Sequence, residues 1–278
     1  MFGKLLKNEF ISTGRIMGIL YAVVLVIMGY LLGSYYIGRN AAEADPSNGQ
    51  LVGIFLLMMI SFCSFILTTV VMITNFQKTL YGDQGYLSFT LPVKSTSLLA
   101  SKVLVSTVWY VAAFLCLLGT VAVTAVVLKE DVLGQENYDL LEQMLPMVLG
   151  GKSVTTMITS ALISMITIFI RFAIVAIEVY FAISLANTRL FQKHYLLWTI
   201  IFSGAIVYVI EGITTLITRN FVFGLSVENN TYRLITDFKN MSLYGNYVDL
   251  AGLMISVVAG VAFFFATRYV MKNKVNIR

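Results

Sequence analysis

Six long apolar stretches constrain this chain more than any other feature of its sequence. Each is long enough to cross about 30 Å of hydrocarbon as a helix that rises about 1.5 Å per residue. Only helices and closed barrels satisfy every backbone polar group in hydrocarbon, and these stretches are continuous rather than alternating. Charged residues make up only 12% of the chain, about half the share found in soluble domains. We therefore predict an all-α, polytopic membrane protein with six transmembrane helices.

The predicted spans all belong to a single transmembrane domain that covers residues 1–278. The fourth is too long for one upright crossing, so we expect it to tilt or to extend into the cytoplasm. The spans are approximately Ile16–Ile37, Leu51–Thr74, Val103–Leu128, Val154–Ala186, Tyr195–Ile217 and Leu250–Tyr269.

The distribution of Lys and Arg predicts the orientation of the chain. With the N-terminus inside, the segments on the cytoplasmic side carry twelve basic residues against Glu9 and Asp83. The segments on the other side carry six basic residues against ten acidic ones. The positive-inside rule therefore places both termini in the cytoplasm. The net charge of +5 then indicates contact with anionic membrane lipids rather than with nucleic acid.

The sequence offers no constellation of residues for catalysis or for metal binding. It has one histidine, no HExxH and no G-x-S-x-G motif, and Cys63 and Cys116 fall inside predicted spans rather than at ligand spacing. Gly151-Lys152-Ser153 resembles the end of a phosphate-binding loop, but Pro146 stands where that loop needs its first glycine. We predict neither an enzyme nor a metal site.

Three ionisable residues stand inside predicted spans: Arg171, Glu178 and Glu211. Such residues often mark a transport path, a proton relay or a buried pair. One interpretation places Glu178 in a cytoplasmic extension of the fourth helix and pairs Arg171 across the bundle. The other places Arg171 and Glu211 on a substrate path or at an interface with a second subunit. An ion-coupled secondary transporter or channel without an ATPase is the alternative function that these residues keep open.

The N-terminal segment Met1–Arg15 is predicted to be an amphipathic helix that lies in the membrane interface. Its basic residues Lys4 and Lys7 lie off the apolar face, where lipid phosphates would meet them. The apolar face consists of Phe2, Leu5, Leu6 and Phe10.

The loop Asn75–Lys102 is the longer of the two cytoplasmic loops and is rich in aromatic and turn residues. We expect its apolar side chains to be exposed, and an exposed patch of this kind usually marks a contact with a protein or a membrane. A short helix broken at Gly82 or Gly85 would present them, and the alternative is a loop folded back on its own bundle. The apolar set is Phe76, Leu80, Tyr86, Leu87, Phe89 and Leu91.

Two stretches resemble the permease subunits of type-2 ATP-binding-cassette exporters from Gram-positive bacteria. The first is Gly3-Lys4-Leu5-Leu6-Lys7-Asn8-Glu9-Phe10, followed by Thr13-Gly14-Arg15. The second is Gly82-Asp83-Gln84-Gly85-Tyr86-Leu87-Ser88-Phe89-Thr90-Leu91-Pro92-Val93. In many of those permeases the second stretch reads close to Asp-Glu-Gly-Tyr-Leu-Thr-Phe-Thr-Leu-Pro-Val, so Gln84 departs from the usual Glu. The polar stretch Thr218–Asp249 also departs from the apolar re-entrant hairpin of well-studied relatives.

The resemblance implies a multi-pass subunit of the bacterial plasma membrane, with Met1–Arg15 as its elbow helix. It implies that the chain binds no cofactor itself, because ATP and Mg sit on separate ATPase subunits. A second permease copy or a paralogue would complete the path for a lipid, an amphipathic or antimicrobial peptide, or a drug. The residues that the resemblance assigns to ATPase coupling are Tyr81, Gly82, Asp83, Gln84, Gly85, Tyr86 and Leu87.

Overall fold

Six helices dominate the part of the chain that the computed structural model describes, and each is long and apolar enough to cross a membrane. This confirms the predicted all-α, multi-pass architecture, whereas the orientation of the termini stays a prediction. The structure describes residues 2–40, 48–82, 95–127, 154–188, 191, 194–228, 231–236 and 247–273. Its helices are α1 (Phe2–Asn40), α2 (Asn48–Leu80), α3 (Ser95–Val127), α4 (Val154–Ala186), α5 (Tyr195–Asn220) and α6 (Leu250–Asn273).

The first helix is longer than the sequence suggests. The predicted N-terminal helix is present, but it continues into the first span without a break, so α1 has 39 residues and a length of about 58 Å. No proline occurs before Pro46, and a glycine such as Gly14 costs a helix only about 1 kcal/mol. The hydroxyls of Ser12 and Thr13 both donate to the Glu9 carbonyl at 2.9 Å. The local sequence therefore contains nothing strong enough to end the helix near Arg15.

The chain divides into two compact units, each of which is described by itself. Unit 1 comprises Met1–Leu6, Ile73–Thr107 and Leu145–Arg278, and unit 2 comprises Lys7–Met72 and Val108–Met144. In unit 1, α4 packs against α5 and α6, and α5 packs against α6. The buried apolar core of unit 1 also includes the end of α2 and the start of α3. Its members are Phe76, Leu80, Tyr81, Leu98, Leu99, Val103, Val179, Tyr180, Ile183 and Met271.

Unit 1 also contains a small antiparallel sheet that the sequence analysis did not foresee. Its strands are β1 (Gly224–Glu228), β2 (Thr231–Ile235) and β3 (Tyr247–Asp249), in the order β2-β1-β3. Strand β3 runs directly into α6, whose first turn is capped by Asp249: the backbone N–H of Gly252 donates to Asp249 Oδ1 at 2.9 Å. An aspartate in this position satisfies one of the N–H groups that a helix start leaves without a partner.

Unit 2 is built from the parts of α1, α2 and α3 that lie within residues 7–72 and 108–127. Tyr21 connects these three helices: its hydroxyl lies 2.9 Å from Thr68 Oγ1 and donates to the Trp109 carbonyl at 3.0 Å. The Trp109 indole in turn donates to Thr13 Oγ1 at 3.0 Å. Buried hydroxyls with partners of this kind hold membrane helices together without exposing polar atoms to hydrocarbon.

Candidate functional site

The candidate site lies where α2 ends and α3 begins, at the two ends of the loop that carries the aromatic motif. Of the residues assigned to ATPase coupling, the structure describes Tyr81 and Gly82. Asp83, Gln84, Gly85, Tyr86 and Leu87 lie outside the described residues. We call the surrounding cluster in unit 1 the loop base. It consists of Phe76, Thr79, Tyr81, Lys102, Ser106, Tyr180 and Ser184.

Tyr81 is fixed by a hydrogen bond to the end of α4. Its side chain is buried, and its hydroxyl donates to Ser184 Oγ at 2.7 Å. The Ser184 hydroxyl donates onward to the Tyr180 carbonyl at 2.8 Å. Burial raises the pKa of Tyr81, although the hydrogen-bonding interaction with Ser184 opposes this shift, so the phenol stays neutral. Tyr81 therefore holds the start of the loop against its own bundle instead of presenting a surface to a partner.

The apolar residues just before the loop are also part of the core. Phe76 and Leu80 are both 0% exposed, so the prediction that they belong to an exposed patch is wrong. The Phe76 ring stacks on the Tyr180 ring, with centroids 3.9 Å apart and planes only 9° from parallel. The reason is that α2 continues to Leu80, past the predicted end of the span at Thr74, and carries both side chains to α4.

Lys102 is the most unexpected member of the loop base. The positive-inside count places Lys102 among the cytoplasmic basic residues, yet its side chain is only 2% exposed. Its Nζ donates to Thr79 Oγ1 at 2.7 Å, which ties the third helix to the second. A buried ammonium group is tolerated only where polar groups receive its hydrogens. Nothing in the local sequence distinguishes Lys102 from an exposed lysine, because its partner Thr79 lies on another helix.

A second tie runs from α3 to α4. Ser106 contacts the Tyr180 hydroxyl closely, and its own hydroxyl bonds to the carbonyl of Lys102 at 2.8 Å. Sequence reasoning missed Ser106, Tyr180 and Ser184, since single serines and tyrosines in a span carry no distinguishing signal. Together the ties connect three helices at the two ends of one loop, an arrangement that can transmit a displacement of the loop to α4.

Gly82 lets α2 end tightly at the loop base. The backbone N–H groups of Tyr81 and Gly82 both donate to the Gln77 carbonyl, at 2.8 and 2.9 Å. A Cβ added at Gly82 would lie 3.0 Å from the carbonyl oxygen of Lys78. A residue with a side chain would therefore push against the last turn of α2, and this steric limit explains why the motif has a glycine at position 82.

The three intramembrane ionisable residues do not form one site. Arg171 on α4 and Glu211 on α5 are exposed, whereas Glu178 on α4 is only 4% exposed. Glu178 lies within electrostatic range of Glu211. Among the residues that the structure describes, none forms a salt bridge with any of the three. The sequence spacing places Arg171 and Glu178 on one strip of α4, but their surroundings differ, because the Glu178 side chain is buried and the Arg171 side chain is exposed.

The N-terminal apolar residues are only partly exposed. Phe2 is 40% exposed, and Leu5, Leu6 and Phe10 are half-buried. Leu5 packs against the core of unit 1. In unit 2, the Phe10 ring lies 6.1 Å from the Trp109 ring between centroids. Part of the predicted lipid-facing set therefore serves packing within the protein.

Comparisons with known proteins add no assignment to this site. The chain matches no protein-family model, and neither a curated protein nor a solved structure is detectably similar to it. The case for a function therefore depends on the residues and contacts described above.

Proposed function

We propose that this chain is the permease subunit of an ATP-binding-cassette exporter, driven by ATP that a separate ATPase subunit hydrolyses. The loop base is the observation that carries the proposal. A loop that receives a push from a partner has to be firmly attached to the membrane helices, because a slack attachment would absorb the movement. Tyr81 and Lys102 provide such attachments at the two ends of this loop. The resemblance of Gly82–Val93 to known coupling segments supports the same assignment.

In the proposed mechanism, ATP binding closes two ATPase subunits and displaces the loop of each permease copy. Tyr81 passes this displacement to Ser184, and Lys102 passes it to Thr79, so that α2, α3 and α4 move together. The bundle then shifts its population from an inward-facing to an outward-facing state. ATP and Mg stay on the partner subunits, and this chain supplies the path together with a second copy or a paralogue.

The proposed location is the bacterial plasma membrane, with both termini in the cytoplasm. The excess of basic residues on one side of the predicted topology supports this orientation. The proposed substrates are a lipid, an amphipathic or antimicrobial peptide, or a drug, because a path between apolar helices suits amphipathic molecules.

Affinity purification of the tagged chain from its native membranes tests the proposal. We expect an ATPase subunit to purify with it in mild detergent and to hydrolyse ATP in the complex. Gly85→Trp should abolish this association, because a bulky side chain would obstruct the docking segment. Gly18→Trp is the matched control, since no atom lies within 4 Å of a Cβ added there. An intact complex with Gly85→Trp, or a fully active transporter without any ATPase, would overturn the proposal.

An ion-coupled transporter is the second candidate, and one observation favours it. Glu178 is buried on a membrane helix within electrostatic range of Glu211, as in proteins that carry protons across a bilayer. The test uses the purified chain alone in liposomes that contain a pH-sensitive dye. Proton flux that depends on Glu178, without any ATPase present, would support this candidate. Absence of proton flux from correctly folded protein would rule out the ion-coupled transporter.

A further inference from the structure

Two exposed charges of opposite sign lie well inside neighbouring membrane helices. Arg171 on α4 and Glu211 on α5 are both exposed, although α4 and α5 pack against each other. No salt bridge joins either residue to another part of the chain that the structure describes. Arginine and glutamate inside membrane helices almost always face protein or water rather than lipid. Another surface is therefore needed to cover the two charges.

The two charges also lie at similar distances from the connection between their helices. Arg171 stands 15 residues before the end of α4 at Ala186, and Glu211 stands 16 residues after the start of α5 at Tyr195. At about 1.5 Å per residue, both lie about 23 Å along their helices from the short connection between them. A partner that covers both has to offer charges of the opposite sign at one level of the membrane.

The surface beside Glu211 suits close contact with another helix. Gly204, Tyr208 and Gly212 follow one another at intervals of four residues on α5, and Tyr208 is 81% exposed. A Cβ added at Gly204 or Gly212 would meet no atom within 4 Å. Only 6% of the most apolar part of α5 is buried, the smallest share among the six described helices. Small residues on such a face let a second helix approach closely.

We propose that a second copy of this chain covers this face, and that Arg171 of each copy pairs with Glu211 of the partner subunit. A two-fold axis along the membrane normal keeps every residue at its own depth, so the opposite charges of the two copies meet at one level. The same contact occurs twice, and neither charge then faces lipid. The inference deepens the second-copy part of the proposed function, but it needs neither ATP nor an ATPase.

Mixing two charge-reversed copies tests this pairing directly. In Arg171→Glu, two carboxylates meet at each contact, and in Glu211→Arg two guanidinium groups meet. Each variant alone should self-associate about tenfold more weakly than the unchanged chain, the order that polar contacts between membrane helices contribute. Mixed together, the two variants form both contacts with correct charges. The measurement is fluorescence energy transfer between labelled copies in liposomes.

The mixture distinguishes the proposal from pairing within one chain. A pair inside each chain would be broken in both variants, and mixing would not restore it. Failure of the mixture to recover the association, or unchanged association of the single variants, would overturn the proposal. Size-exclusion chromatography in detergent checks that each variant is folded.

Crosslinking gives a second measurement that does not depend on charge. In a Cys63→Ser/Cys116→Ser background, one tagged copy carries Arg171→Cys and a differently tagged copy carries Glu211→Cys. A short bifunctional maleimide should join the two tags in membranes. The control pair, Ile166→Cys with Leu216→Cys, lies about 140° around each helix and should not crosslink. Equal yields from the two pairs would refute the interface.

The outcomes also separate this inference from the proposed function. A chain that dimerises through Arg171 and Glu211 but never binds an ATPase would refute the exporter and leave the dimer standing. A chain that binds an ATPase, but whose two charge-reversed variants do not regain association when mixed, would refute the dimer contact and leave the exporter standing.

Discussion

The hydrogen bond between Tyr81 and Ser184 leads to a quantitative prediction, because the Ser184 hydroxyl makes a second hydrogen bond, to the Tyr180 carbonyl. Tyr81→Phe removes the donor, while the Ser184 hydroxyl keeps its own bond to the Tyr180 carbonyl at 2.8 Å. The loss is one ordinary hydrogen bond, and we expect the free energy of unfolding to fall by about 1 kcal/mol. Ser184→Ala leaves the buried Tyr81 hydroxyl without its acceptor and also removes the bond to Tyr180. The expected cost is about 2 to 3 kcal/mol.

The double variant tells whether the two residues act as a pair. Once Phe stands at position 81, Ser184→Ala no longer leaves a buried hydroxyl without a partner. The double variant should therefore be about 1 kcal/mol more stable than the sum of the single changes predicts. Residues that contribute independently would add within about 0.3 to 0.5 kcal/mol.

The assay is reversible unfolding of the purified chain in mixed micelles, followed by tryptophan fluorescence. Tyr269→Phe is the matched control, because Tyr269 is 58% exposed and should change stability by less than about 0.5 kcal/mol. The reasoning is refuted if Tyr81→Phe costs more than Ser184→Ala, or if the two costs simply add. In the proposed transporter, either change should also lower transport per ATP hydrolysed without preventing ATPase binding.

Three further predictions concern the core, a helix start and alkaline pH. Phe76→Ala should lower the free energy of unfolding by about 3 to 5 kcal/mol, because the side chain is 0% exposed and its removal leaves a cavity. Gly252→Ala should lower the free energy of unfolding by about 1 kcal/mol, since an added Cβ would overlap the Asp249 carboxylate and break the cap. The control Gly18→Ala should be neutral or stabilising, and thermal unfolding of both variants is the measurement. Above pH 10.0, the ordinary pKa of tyrosine, an unfolded Tyr81 loses its proton while the buried one keeps it. The folded state then holds more protons, so stability falls with rising pH, and Tyr81→Phe should remove this part of the fall in pH titrations of unfolding.

Hydropathy predicted the six helices well because the membrane imposes a single strong requirement on each. The bounds of α4, Val154–Ala186, are the same in the sequence analysis and in the structure. The second span was placed too short because Gln77 and Lys78 interrupt its apolar run. A helix does not have to end where it leaves the hydrocarbon, so α2 continues to Leu80 and buries residues that looked exposed.

The small sheet has a local signal in the sequence. Glu228 pairs with Thr231, so that only Asn229 and Asn230 connect β1 to β2, and a two-residue connection of this type is typical of a hairpin. The loop base had no such local signal. Tyr81 and Ser184 are 103 positions apart, and Lys102 finds Thr79 only after two helices have packed. Contacts of this kind depend on tertiary structure and cannot be derived from spacing in one segment.

The unequal lengths of the helices bear on which bilayers this protein tolerates. Helices α1 to α4 have 33 to 39 residues and extend well beyond about 30 Å of hydrocarbon. They are therefore long enough to span a thicker bilayer as well. The shortest helix, α6, has 24 residues and spans about 36 Å. In a bilayer whose hydrocarbon is thicker than this, hydrophobic mismatch would therefore act first on α6, where the lipid has to thin or the helix has to tilt less.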